Sequence, residues 1–136
     1  MSSGKVLFTK NYDRKQLNSW KNFMNVRNLK DKEVLETTYI AHGGAVARMV
    51  LDQRTLKEIG FLASAILDKG KKIESHVDPV EEIYFIIMGE GEMSVGDETR
   101  HVIPGDAVWI PAGEQHALTN TGKDLLFLIV VASQNR

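Results

Sequence analysis

The sequence predicts an all-β fold, a double sheet or barrel of short antiparallel strands, on three observations. From about Val46 onward, short runs of β-branched and aromatic residues alternate with Gly, Pro, Asn or Asp, as strands alternate with turns. The separators are turn chemistry: Gly89-Glu90-Gly91, Gly96-Asp97, Pro104-Gly105-Asp106, Pro111-Ala112-Gly113 and Asn120-Thr121-Gly122. Their regular, short spacing argues for a sandwich or barrel rather than alternating β/α units.

Taken in order, strands are expected near residues 46–51, 61–67, 72–77, 83–88, 91–95, 98–103, 107–110, 115–120 and 125–132. The N-terminal part reads differently. Leu17, Trp20 and Phe23 or Met24 recur at helical spacing after Asp13, a candidate cap, which predicts a short helix whose apolar stripe packs on the barrel or makes a dimer contact. Residues 27–36 are charge-rich and read as a solvated connection or an edge strand. Residues 1–42 are therefore assigned to an N-terminal extension and edge segment, and 43–136 to the barrel domain. There are no internal repeats and no low-complexity tracts.

A chain of 136 residues suits one domain and is too short for two of ordinary size. Its net charge of -1 leaves no basic excess to neutralise phosphates, so nucleic acid is not an expected partner. The absence of cysteine removes disulfides, thiolate ligands and cysteine nucleophiles, so any metal must be held by nitrogen and oxygen. The opening Met1-Ser2-Ser3-Gly4-Lys5-Val6-Leu7-Phe8 lacks the apolar stretch and cleavage site of a secretory signal. The longest apolar run, Leu125 to Ala132, falls well short of the roughly 20 residues of a membrane helix. A cytoplasmic protein with no membrane association is expected.

Two glycine-anchored blocks carry the chemistry. The first runs from Gly70 through His76, Asp78 and Glu82 to Gly89, and the second from Gly105 through Pro111, Gly113 and His116 to Asn120. Together they resemble the paired signature motifs of the cupin superfamily. The second block fits the pattern G-x5-P-x-G-x2-H-x3-N at every fixed position, a match that chance would give about once in ten thousand chains or fewer. The first fits G-x5-H-x-H-x3-E-x6-G except that Asp78 stands where the family has its second histidine.

The resemblance implies an antiparallel double-stranded β-helix, the jelly-roll cupin barrel. It also implies that His76, Glu82 and His116 bind one divalent transition metal per chain (Fe, Mn, Zn or Ni). Asp78 is open between direct coordination, coordination through water, a supporting role beside the ligands, and the mark of a lost site. Without it, two imidazoles and one carboxylate leave open positions, as in non-haem Fe(II) chemistry. With it, two carboxylates balance a divalent ion and suit Mn(II) or Zn(II). Asp78 is also a candidate general base.

Alternation places His76 and Asp78 on one face. Glu81 is the competing ligand should the register slip by one. Tyr84, Ile86 and Met88 share the parity of Glu82 and are candidates to line a substrate pocket, with core filling the competing reading. Arg48 is a candidate partner for a substrate carboxylate, or else half of a surface ion pair. His42 and His101 read as surface or satisfied core residues, and Trp109 as packing or interface. Asn120 is expected to tie down a turn by side-chain hydrogen bonds.

Relatives with such motifs include dioxygenases, decarboxylases, sugar isomerases and polyketide cyclases. The leading expectation is thus a metal-dependent enzyme acting on a small molecule. The alternative is a non-catalytic barrel that binds a small ligand or metal. Small cupins of this kind usually pair, so a homodimer is expected.

Overall fold

A computed structural model describes residues 24–135. The helix expected over Asp13 to Met24 lies, but for its last residue, outside the described residues. In the charge-rich segment that follows, local hydrogen bonds outcompete strand pairing. The Asn28 N–H donates to Asp31 Oδ2 at 2.8 Å, and the Asp31 carbonyl accepts from Val34 and Leu35. The result is a single helical turn, α1 (Lys32–Leu35), that buries Val34. No edge strand forms within residues 27–36.

Ten strands follow: β1 (Tyr39–Ala41), β2 (Ala45–Leu51), β3 (Ile59–Leu67), β4 (Lys72–His76), β5 (Glu82–Met88), β6 (Gly91–Val95), β7 (Glu98–Val102), β8 (Ala107–Ile110), β9 (His116–Asn120) and β10 (Leu126–Ser133). The nine expected strands are present, and β1 is added before them as an edge strand.

The strands form a six-stranded sheet in the order β1-β2-β3-β10-β5-β8 and a four-stranded sheet in the order β4-β9-β6-β7. Every pairing is antiparallel. Alternation decides which side chains turn inward: on β5, Glu82, Tyr84 and Ile86 are buried while Ile83, Phe85 and Ile87 are exposed. Inward residues of both sheets, such as Leu67, Ile86 and Leu128 from one and Ile73, Met93 and Leu118 from the other, form a single core. The architecture is the antiparallel double-stranded β-helix that the motifs imply.

The β5–β6 connection shows how tightly the sheets are joined. Gly89 sits at φ +82°, and a Cβ there would lie 2.3 Å from the Leu125 carbonyl oxygen. Only glycine satisfies both the left-handed backbone and the close approach. Among the described residues no helix is long and apolar enough to cross a membrane.

Candidate metal centre

The two motif histidines come from neighbouring strands. In the β4–β9 pair, Ile73 lies opposite Leu118 and His76 opposite His116. Three steps along β4 thus match two along β9, which is a β-bulge. Strict alternation would send Ile73 and His76 to opposite faces, and the bulge resets it. Ile73 can then fill the core while His76 still turns to His116, with ring centroids 4.2 Å apart.

Glu82 opens β5 between Ala132 and Ile110 and is only 6% exposed. Asp78 sits in the loop between β4 and β5, where its carbonyl accepts a 2.8 Å hydrogen bond from the Gly113 N–H. That bond ties the loop of one motif to the turn of the other. A second tie runs from the Gln115 amide to the Ser75 hydroxyl, 2.8 Å.

The tautomers follow from the outer partners of the rings. His76 Nδ1 lies 2.8 Å from the Glu74 carbonyl oxygen and His116 Nδ1 lies 2.9 Å from that of Glu114. A carbonyl can only accept, so each Nδ1 carries a proton and, in a neutral ring, each Nε2 presents a lone pair.

Those lone pairs face carboxylate oxygens. His76 Nε2 is 3.1 Å from Asp78 Oδ2, and His116 Nε2 is 3.2 Å from Glu82 Oε1 and 3.6 Å from Asp78 Oδ2. The contact between His116 and Glu82 is close but not aligned for a hydrogen bond, and both atoms are buried without a hydrogen-bond partner. Electron pairs facing each other in a buried site need a cation between them, either a second proton on a ring or a metal ion.

The donor set fits a metal. His76, Asp78, Glu82 and His116 each offer one ligand atom, and these atoms all lie within 4.8 Å of one another. Two neutral imidazoles and two carboxylates match the charge and donor preferences of a divalent first-row ion.

The electrostatics point the same way. Burial alone would lower the pKa of His116, but Glu82, the Glu114 carbonyl and Asp78 prevail and raise it. Burial, with Glu82 and Asp78 adding to it, pushes up the phenols of Tyr39 and Tyr84. Burial lowers His42, with His76 the next cause.

The remaining sequence candidates are distributed as follows. Tyr84 is buried with its edge toward the His116 ring, centroids 5.8 Å apart. Ile86 is fully buried in the core. Met88 lies at the other end of β5 from Glu82 and is 51% exposed. Arg48 alternates with Ala47, which is buried, and Met49, which packs against the core. It therefore points to the outer side of the sheet, where it donates to the Thr38 hydroxyl at 2.9 Å.

Glu81 is exposed and accepts a 2.6 Å hydrogen bond from Trp109 Nε1, so the buried carboxylate is Glu82. His101 pairs with Glu90 at 2.8 Å on the surface. A cleft of about 520 Å³ runs along β6, β7 and β8, floored by Met93, Val95, Val102 and Val108 with Trp109 at its rim. Arg48, Tyr84, Ile86 and Met88 do not line it. Val95, opposite His116 in the sheet, does.

Two residues beside the site were not legible as such in the sequence. Tyr39, on β1, is close enough to Glu82 and Asp78 to feel their charge. His42 stacks flat on His76, with centroids 3.4 Å apart and 10° between the planes. The one signal that could have marked His42 is the Gly43-Gly44 pair after it, which predicts a tight turn.

Comparison with known proteins agrees with this architecture. Residues 64–132 match the family described as the Cupin domain. An uncharacterised protein of Streptomyces coelicolor is 30% identical over 96 residues, covering 71% of this chain and 87% of that one. A 5-nitrosalicylic acid 1,2-dioxygenase of Bradyrhizobium is 32% identical over 71 residues, covering 52% of this chain and 34% of the enzyme. Among solved structures, a predicted oxalate decarboxylase from Thermotoga maritima superposes with a TM-score of 0.70 at 23% identity, covering 82% of this chain and 100% of that one. Likeness at that identity is likeness of fold.

Proposed function

The chain belongs to the cupin family, and from that premise we propose that it is a metal-dependent enzyme acting on a small molecule at a mononuclear site inside the barrel. One observation carries the reading: the electron pairs of His76, His116, Glu82 and Asp78 converge on a common point, and the buried pair among them has no other partner. The identity with a dioxygenase over about half of the chain supports an enzyme over an inert barrel.

His76, Glu82 and His116 would hold the ion. A divalent ion bound there would polarise a substrate carbonyl or hydroxyl oxygen and stabilise the charge that develops on it. The backbone carbonyls of Glu74 and Glu114 fix the two rings by their outer nitrogens, so no ring flip is needed when the ligand arrives. Tyr84 and the surrounding apolar side chains exclude water behind His116.

The Asp78 side chain is 27% exposed, against 1% for His116 and 7% for Glu82. It is the donor that a substrate can reach, and its Oδ2 is placed to take up a proton.

The convergence of a fourth donor also favours a second reading, in which Asp78 coordinates as well and, on a four-coordinate ion such as Zn(II), closes the sphere, so that the barrel binds without reacting. An enzyme needs an exchangeable position and a carrier does not. Because Mn(II) enhances proton relaxation even without bound water, the signal that separates the two is the water oxygen-17 linewidth, which responds to water coordinated directly to the ion. Strong broadening by the Mn(II)-loaded protein is expected, and a linewidth equal to that with the Zn(II)-loaded protein would overturn the enzymatic reading.

A further inference from the structure

We infer that His42 is a positioning residue for the metal centre: the loop between β1 and β2 lays its imidazole flat on His76 and so holds His76 Nε2 on the point where the four donors converge. The inference rests on the metal-binding reading above and concerns a residue outside both motifs.

The loop is three residues long, His42, Gly43 and Gly44; the Gly44 N–H donates to the Ala41 carbonyl oxygen at 3.3 Å, and the positive φ angles at His42 and Gly43 are those that a tight hairpin turn favours. His42 is the sole non-glycine at positive φ among the described residues, at +46°, a conformation that histidine, like asparagine and aspartate, adopts more readily than other side chains. Gly43 follows at φ +88°, where a Cβ would lie 2.5 Å from the Glu74 carboxyl group, and a Cβ on Gly44 would lie 2.2 Å from the Lys72 carbonyl oxygen. Gly44 therefore lets the loop backbone press onto β4, the strand that carries His76, closer than a side chain would allow, and Gly43 supplies the left-handed backbone that the turn needs.

The contact is made through one peptide-bearing residue. The Glu74 N–H donates to the His42 carbonyl oxygen at 2.8 Å, and the Glu74 carbonyl accepts from His76 Nδ1 at 2.8 Å. Glu74 thereby joins the backbone of the loop to the ring of the proposed ligand. The His42 ring completes the arrangement by lying 3.4 Å from the His76 ring, almost parallel to it.

A ring anchored by a single hydrogen bond can still rock about that bond. His116 is restrained by its surroundings, being 1% exposed with Tyr84 edge-on to it. His76 has 14% of its side chain exposed and lacks such enclosure. The flat face of His42 supplies the missing wall, and a ligand that is already aimed loses less freedom on binding.

Co(II) is the probe, because its visible absorption reports both occupancy and geometry. It is titrated into wild type, His42→Asn and His42→Phe, and each metal-free protein is also melted in EDTA. Asn tolerates the left-handed backbone but removes the ring, whereas Phe keeps a flat face without nitrogen.

The expected result is a loss of Co(II) affinity of about 10-fold or more in His42→Asn, the size typical of supporting groups around a metal, with an altered visible band and a melting temperature in EDTA close to wild type. His42→Phe should restore affinity and band. Equal binding by wild type and His42→Asn would overturn this inference alone, as would a His42→Phe variant as weak as His42→Asn, since the nitrogen and not the stack would then matter. A wild-type protein that takes up no Co(II) overturns the metal reading itself. Should His42→Asn fail to fold, His42→Phe against wild type carries the test, and a 10-fold loss there contradicts the proposal.

Discussion

Asn120 and His116, two buried polar residues of the same strand, differ in how their polar atoms are used. Asn120 Nδ2 donates to the Leu67 and Asp124 carbonyls, each at 2.9 Å, and its Oδ1 accepts from the Gly122 N–H at 3.0 Å. Every one of those bonds builds a turn or joins strands. Asn120→Ala should therefore lower stability by about 3 kcal/mol through buried groups left unpaired. Urea unfolding would show it as a lower midpoint at unchanged slope.

His116 Nε2 and Glu82 Oε1, by contrast, have no hydrogen-bond partner. The raised pKa of His116 gives the metal-free protein a definite pH signature. A group whose folded pKa lies above its unfolded value stabilises fully below the unfolded value, here near 6.5, and that contribution is lost as pH rises through the folded value. His42 is shifted the other way and opposes this trend, so the sign is read in His42→Asn, which is expected to melt lower at pH 8.5 than at pH 6 when metal-free. Metal needs neutral imidazole, so with saturating metal the trend should reverse. Melting curves with and without EDTA check both signs.

His76, Glu82 and His116 were legible at this scale as candidates because their motif spacings are specific, while Asp78, standing where the motif has histidine, was open. The choice of Glu82 over its neighbour needed the structure, since only the Glu81–Trp109 bond and the burial of Glu82 show which carboxylate turns inward. His42 and Tyr39 carry no motif, and their place beside the site depends on a loop docking that no local pattern encodes.

Among the elements, the strands with clear alternation and turn residues at their ends were readable, and those shaped by tertiary contact were not. β1 is three residues long, follows a charged stretch and gains its identity by pairing Tyr39–Ala41 with Ala45–Ala47. The β4 bulge is equally silent in sequence, yet without it Ile73 and His76 could not both do what they do. α1 arose where an edge strand was a candidate, because Asp31 offers its neighbours local acceptors.

The turn glycines, in contrast, were plain. Gly89→Ala should cost about 2 kcal/mol or more, combining a left-handed backbone with a Cβ that would meet the Leu125 carbonyl. Metal stoichiometry should not change if the variant remains folded, which unfolding and elemental analysis of the same sample would establish.

At the scale of the whole molecule, the outer face of the barrel bears on assembly. Ile83, Phe85 and Ile87 of β5 are 43%, 40% and 41% exposed, and Trp109 of β8, paired with Ile83, is 62% exposed. An apolar face of this kind is rarely left to solvent by a monomer, and a two-fold axis would set it against its own copy. The chain is expected to run at twice its 15.2 kDa mass in light scattering, and Ile83→Lys with Trp109→Lys should halve that value. A wild-type monomer at tens of micromolar would contradict this.

Parity with Glu82 marked Met88 as a pocket candidate, and a guanidinium on a mainly apolar strand marked Arg48, but neither signal says which face of a strand turns inward or where along the strand the pocket lies. Arg48 faces outward and Met88 sits at the far end of β5.

His76, Glu82 and His116 are proposed to hold one ion, with Asp78 beside it. Elemental analysis tests this most directly, on untagged protein and a His76→Ala/His116→Ala double variant, each loaded anaerobically with Fe(II), Mn(II), Zn(II) or Ni(II) and then desalted. About one ion per chain in the wild type, and almost none in the double variant, is the predicted result for at least one metal. Equal, negligible content in both proteins for every metal would contradict the account.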